Sequence, residues 1–329
     1  MSHAVTPLPF KPPRLNGLSE RLLASHYENN YGGAVRRLNA IERRLAELDW
    51  ANAPMFEING LKREALIAAN SMVLHEIYFD GLGGAGGKPS SDLAAALERD
   101  FGSFAQWRAE FTAMGEALAG GSGWVLLIWS PRLGKLVNQW ASDHAHGLAG
   151  GVPILALDMY EHAYHLDFGA KAAPYVSAVM NNLHWERIAA RHRRAVGAAP
   201  GDAAALTADA LTSEGRPLPP ERLREKLERG ENVVVLDLCL AEDLAKRSDM
   251  VPGALIRAPE RIGEWADELP RDRPVVVYCI YGFQVSGDAV AELRRRGVDA
   301  RILAGGIAAW HAIAAPTVPL PAFVKEDDL

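Results

Sequence analysis

Leu155-Ala156-Leu157-Asp158-Met159-Tyr160-Glu161-His162-Ala163-Tyr164 joins an apolar, strand-like run to a carboxylate, with an imidazole four residues further on. A strand delivers Asp158 to its end, and the following turn can bring His162 round beside it. The pair alone says little, because Asp-x-x-x-His arises by chance. Two more imidazoles give it weight. His26 and His75 each sit on the apolar face of a segment with helical spacing. Three imidazoles and one carboxylate suit a redox-active first-row metal such as iron or manganese.

Working outward, Leu22, His26, Ala34, Leu38, Ile41 and Leu45 predict a helix over about 18–48, with Ser19 as its cap and Asn30 completing the stripe. Ala68, Ser71, Met72, His75 and Phe79 predict a second helix over about 61–79. The glycine-rich run from Gly81 to Gly87 closes it. A hairpin of these two helices brings one inward histidine from each to a common place. Beyond a helical stretch at 93–118, Trp124–Ser130, Lys135–Ala141 and Val152–Leu157 read as strands, and 173–196 reads as a closing helix. The first domain, 1–196, is therefore α+β: a helical hairpin over about 18–82, then a mixed α/β half over about 90–196.

Residues 197–215 have little periodicity and read as a linker. From 216 the pattern changes. The β-branched runs Val233–Leu238, Pro274–Cys279 and Ala300–Leu303 alternate with helical segments at 220–229 and 286–296. That alternation predicts an α/β domain over 216–329 with a parallel sheet.

Bulk properties narrow the function. The chain has 329 residues, enough for two cores, with 49% hydrophobic and 23% charged residues. A net charge of −6 argues against nucleic acid as a partner. No apolar run is long enough for a membrane span, and no secretory signal core opens the chain. Cys239 and Cys279 are the two cysteines, which excludes a disulfide framework. A cytoplasmic protein is expected.

A lone inward histidine is ordinarily a hydrogen-bonded core residue, but the combination is recognisable. With His26-Tyr27, His75, Gly121-Ser122-Gly123-Trp124-Val125, Asp158-Met159-Tyr160-Glu161-His162-Ala163-Tyr164 and Asn182-Leu183-His184-Trp185, residues 5–195 resemble the iron/manganese superoxide dismutase family. In the family's Asp-x-Trp-Glu-His-Ala-Tyr signature, only the Trp is altered, to Tyr160. The resemblance implies His26, His75, Asp158 and His162 as ligands of one iron or manganese ion per chain, with solvent as a fifth. It implies superoxide as substrate, and dioxygen and hydrogen peroxide as products. His144 falls where the family has a glutamine or histidine bonded to the metal-bound solvent. Trp124 and Tyr160 match cavity walls. Glu161 matches a residue that crosses a dimer interface, so the resemblance implies a homodimer.

The departures are specific. The histidine and tyrosine that gate the family's substrate channel are Asn30 and Ala34 here, with Tyr31 or His165 as candidate substitutes. Ser71 replaces a glutamine that marks many iron enzymes, and Leu74 replaces an asparagine.

Residues 216–317 resemble a rhodanese domain through Val234-Val235-Leu236-Asp237-Leu238, Val251-Pro252-Gly253-Ala254-Leu255, Val275-Val276-Val277-Tyr278-Cys279 and Leu303-Ala304-Gly305-Gly306-Ile307-Ala308-Ala309-Trp310. Cys279 ends a buried strand, and the loop 280–285 leads to a helix whose N-terminus favours a thiolate. The resemblance makes Cys279 a candidate catalytic residue that accepts sulfur. Three arginines of the family pattern are replaced, by Ile280, Gln284 and Cys239. Two readings follow. In the first, the chain is a superoxide dismutase with an appended sulfur or redox module. In the second, it is a sulfurtransferase or oxidant sensor working through Cys279, with a non-catalytic metal-binding N-terminal domain.

Overall fold

The computed structural model describes residues 2–89, 91–197 and 216–321, so the expected linker lies outside the described residues from 198 onward. The described residues form two compact units, one built mainly from residues 9–197 and the other from residues 4–8 and 216–321. The expected fold class, an α+β region followed by an α/β region with a parallel sheet, is the one observed.

In the first unit, helix α1 (Glu20–Ser25) opens at Ser19, whose Oγ accepts the Leu22 amide at 3.0 Å. It runs into a π-helical turn, His26–Tyr31, and then into α2 (Gly32–Ala46). Helix α3 (Met55–Asp80) packs along α2. It starts six residues earlier than its apolar stripe predicts, because its first turns are exposed and carry no core residues; Met55 and Phe56 face solvent.

The helical stretch expected at 93–118 is two helices, α4 (Ser91–Phe101) and α5 (Phe104–Ala117). Gly102 breaks it with φ of 84°, and Ser103 caps α5 by accepting the Gln106 amide. Strands β1 (Trp124–Ser130), β2 (Lys135–Ala141) and β3 (Val152–Asp158) form an antiparallel sheet in the order β2-β1-β3. Central β1 is almost wholly buried, which explains its unbroken apolar run. After α6 (His165–Phe168), the expected closing helix is again two, α7 (Ala172–Asn181) and α8 (Trp185–Gly197). The break falls at Asn182, whose side-chain NH2 donates to the carbonyls of Ala178 and Asn16 while its Oδ1 accepts the Asn16 amide.

The second unit comprises α9 (Pro220–Glu228), β4 (Val234–Asp237), α10 (Ala241–Leu244), β5 (Asp249–Met250), β6 (Leu255–Ile256), α11 (Ile262–Trp265), β7 (Val275–Tyr278), α12 (Gln284–Arg295), β8 (Ala300–Ile302), α13 (Gly306–Ala312) and β9 (Val318–Pro319). Its parallel sheet has the order β6-β4-β7-β8, and β5 pairs with β9 antiparallel. Leu236, Leu238, Val275 and Val277 of the sheet pack against Ala289, Val290 and Leu293 of α12. Burial on both faces accounts for the β-branched runs.

Candidate metal centre and cysteine loop

Four segments far apart in sequence meet at Asp158. The register pairs Trp124 with Asp158 on one side and with Ala141 on the other, so β1 fixes the carboxylate and the start of the loop carrying His144. The Met159 amide bonds the Gly123 carbonyl at 2.9 Å, and the short turn Glu161–Ala163 then returns His162 to its own strand end. The hairpin of α2 and α3 supplies the other side, with His26 at the start of the π turn and His75 one turn before the end of α3.

The three imidazoles converge on one atom. Asp158 Oδ2 lies 3.1 Å from His26 Nε2, 3.2 Å from His162 Nε2 and 3.5 Å from His75 Nε2. One candidate donor atom from each of the four residues lies within 4.8 Å of all the others. Asp158, His26 and His75 are buried, while His162 is partly exposed.

The far sides of Asp158 and His75 are held. Asp158 Oδ1 accepts the Tyr160 amide at 2.9 Å, and the Tyr175 hydroxyl donates to the Asp158 carbonyl at 2.7 Å. His75 Nδ1 lies 2.7 Å from the Ser71 carbonyl, which can only accept. The ring proton therefore sits on Nδ1, and the buried Nε2 is left with a lone pair and, among the described residues, no hydrogen-bond partner. A carbonyl on the far nitrogen is the usual way a ligating histidine is oriented.

The electrostatics point the same way. Burial pushes the His26 imidazolium acidic and brings His75 down to about 3, so both rings are neutral near pH 7. For Asp158 burial alone favours the protonated acid, yet the neighbouring His162 and hydrogen bonds from His162 and His26 hold it far below the carboxylate range. His26 and His162 meet the buried carboxylate through hydrogen bonds and His75 through a bare lone pair, so four possible donor atoms gather at one point. The donor set fits a first-row metal ion.

Trp124 and His144 complete the wall. The Trp124 indole N–H donates to His144 Nδ1 at 2.9 Å, and the His144 carbonyl accepts from the Asn70 side-chain Nδ2. An indole nitrogen can only donate, so a neutral His144 carries its proton on Nε2. Burial lowers the His144 pKa and keeps the ring neutral. His144 stacks on Tyr160 at 4.7 Å between centroids and lies 6.2 Å from the His75 ring. Tyr31, the fifth residue after His26, is buried; its hydroxyl donates to Glu76 Oε1 at 2.9 Å and its ring is 6.4 Å from His75. The wider π turn carries Tyr31 to this side of the helix, whereas Asn30 is half-buried and His165 is exposed.

Two profiles match the sequence. The one described as iron/manganese superoxide dismutases, C-terminal domain, covers residues 89–191, and the one described as rhodanese-like domain covers residues 219–313. A superoxide dismutase [Fe] of Cupriavidus metallidurans is 67% identical over 196 residues, which is 60% of this chain and 99% of that protein. The chain belongs to the iron/manganese superoxide dismutase family. Members further away include superoxide dismutase [Mn] 2 of Haloferax volcanii, 34% identical over 203 residues (60% of this chain, 98% of that protein). A superoxide dismutase [Fe] of Aquifex aeolicus is 33% identical over 198 residues (57% and 91%). The family match thus lies on the unit that holds the four-residue cluster, and the rhodanese-like match on the second unit.

In that second unit, Cys279 follows β7 directly and Cys239 follows β4 by two residues; both are free thiols. The loop 280–283 is braced by a Gly305-Gly306 turn. Gly306 has φ of 59°, and a Cβ there would collide with the carbonyl oxygens of Cys279 and Ile280. Sequence reasoning missed Arg247. Its Nη2 lies 2.5 Å from Asp237 Oδ2 in a buried ion pair, returning a guanidinium to the carboxylate whose expected arginine neighbour is Cys239. Within Lys246-Arg247 nothing distinguishes a buried cation from a solvated one.

Proposed function

We propose that the chain disproportionates superoxide to dioxygen and hydrogen peroxide at one iron or manganese ion held by His26, His75, Asp158 and His162. The observation that carries this reading is the convergence of three imidazole Nε2 atoms on one buried carboxylate oxygen. Iron is the first candidate, since the relative at 67% identity is named for iron. A bound ion supplies the one-electron exchange that superoxide disproportionation needs.

The chain's own part is to hold and orient. Ser71 keeps the His75 lone pair directed inward, the Tyr160 amide and Tyr175 hydroxyl fix the carboxylate, and Trp124 sets the tautomer of His144. We assign His144 Nε2–H as the hydrogen-bond donor to solvent at the centre. Residues 1–196 are the dismutase domain in this reading, and 216–329 the rhodanese-like domain. A homodimer through exposed Glu161 and a cytoplasmic location belong to the same proposal. Among the described residues no helix is long and apolar enough to cross a membrane.

The test is dismutation per bound metal, with metal content measured on the same sample and His75→Ala as control. Activity that tracks metal and disappears with His75 is the expected result. Full metal occupancy with no dismutation would overturn the proposal.

A further inference from the structure

The chain has two cysteines, and the fold brings both to the same end of two adjacent parallel strands. β4 and β7 are in register from Val234↔Val275 to Asp237↔Tyr278, and the pairing continues one step, since the Leu238 amide bonds the Tyr278 carbonyl at 2.9 Å. Leu238 therefore stands beside Cys279, and Cys239 is its diagonal neighbour. With a strand spacing of about 4.8 Å and a rise of about 3.3 Å, a diagonal pair has Cα atoms roughly 6 Å apart. A disulfide spans about 4.4–6.8 Å.

Strict strand alternation would point the two side chains to opposite faces. Here the strand has ended: β4 stops at Asp237, and Asp237 Oδ1 accepts the Cys239 amide at 3.1 Å, turning the backbone at that residue. Burial above all, and then the Asp237 carboxylate, push the Cys239 thiol well up; Cys279 adds a smaller push in the same direction, so the two thiols lie within electrostatic reach.

Their surroundings differ in a useful way. Cys279 is 9% exposed and opens a loop, 280–283, whose residues are all partly exposed. Cys239 is only 2% exposed. Asp237 is shared between the Cys239 amide and Arg247, which places the guanidinium beside this cysteine. Among the described residues, the buried Arg247 Nε and Nη1 have no hydrogen-bond partner. The guanidinium opposes the upward push that burial and Asp237 exert on this thiol.

We propose that Cys279 and Cys239 form a peroxide-reducing dithiol, in which Cys279 is attacked first and Cys239 resolves it. The co-reactant is hydrogen peroxide, the product of the dismutase reading on which this inference rests. The Cys279 sulfur attacks one peroxide oxygen; an S–O bond forms, the O–O bond breaks, and the departing hydroxide takes the thiol proton as water. The Cys239 sulfur then attacks the Cys279 sulfur. An S–S bond forms, the S–O bond breaks, and the second hydroxide leaves as water with the Cys239 proton. Two thiols lose two electrons and one peroxide becomes two waters.

The experiment adds hydrogen peroxide to the reduced, full-length protein and reads intact mass and non-reduced peptides. The expected chain is lighter by two hydrogens, with one linked peptide pair containing Cys239 and Cys279 that dithiothreitol separates. Cys239→Ser is expected to stop at a Cys279 sulfenic acid that dimedone captures, and Cys279→Ser to stay unoxidised at Cys239. A matching thermal melt shows that each variant is folded. His75→Ala, which removes the metal, is expected to give the same disulfide. Three outcomes overturn the proposal: both thiols remaining titratable, Cys279 passing to sulfinic acid in the wild type, or linkage only in metal-loaded protein. Because the peroxide is added, a chain with no dismutation still answers this question.

Discussion

Each unit buries an aspartate, and the two aspartates are treated in opposite ways. Asp237 meets a guanidinium, so its charge is neutralised within the chain. Asp158 meets three imidazoles, two of which burial keeps neutral, and His75 turns an unshared lone pair towards it. At the first, an ion pair within the chain answers the buried carboxylate. The other site turns the bare lone pair of His75 towards its carboxylate, an arrangement that the proposed cation would answer. Burial alone does not separate the two cases. The proton inventory of the partners does.

The sharpest way to break this contrast is Asp158→Asn. It keeps the shape and removes the charge that a cation would answer. Metal retained after dialysis is expected to fall by more than the ~10–100-fold typical of a lost outer hydrogen bond, and dismutation to fall with it. Retained metal would mean that the imidazoles suffice and that the two aspartates are alike after all.

The matching change in the second unit is Arg247→Met. It strips Asp237 of its cation and should destabilise that unit by about 3–5 kcal/mol, the usual cost of leaving one buried charge unpaired. Denaturant unfolding should show an earlier transition while metal content and dismutation per metal stay unchanged. A joint loss of metal would deny the independence of the two charge arrangements.

A smaller effect concerns His192, buried in the first unit, with neither ring nitrogen bonded among the described residues and its ring 5.9 Å from that of Trp129. Burial lowers its pKa below the ordinary 6.5, with Asp92 and Asp100 opposing the shift and Arg99 and Arg193 reinforcing it. A histidine protonated more readily when unfolded gives stability that is complete above about pH 6.5 and declines as pH falls towards the folded value. His192→Leu should flatten this acid-side decline by about 1 kcal/mol per pH unit at most. Melting curves of metal-free protein at several pH values would reveal it, and parallel curves for the two proteins would remove His192 from the account.

Much of the candidate site is legible in the sequence because its ligands sit on regular elements. His26 and His75 carry helical periodicity, and Asp158 ends an apolar strand. What escaped depends on partners distant in sequence. The interruption of the closing helix is decided by Asn182 reaching Asn16, and no local propensity encodes that bond. Asp237 takes its cation from Arg247, ten residues on and across a turn, while the position that usually supplies it holds Cys239. The tautomers of His75 and His144 follow from a backbone carbonyl and an indole N–H, visible only once the chain is folded.

The π turn at His26–Tyr31 has a consequence for the whole hairpin. A helix that takes one extra residue into a turn changes phase, and everything after it is rotated by about 100° relative to an unbroken α-helix. Beyond the turn, α2 buries Ala34, Val35 and Leu38. The turn therefore acts as a timing element. It lets one continuous rod show the metal centre at one end and the core at the other, and a chain one residue shorter at this point would present the wrong face to one of them.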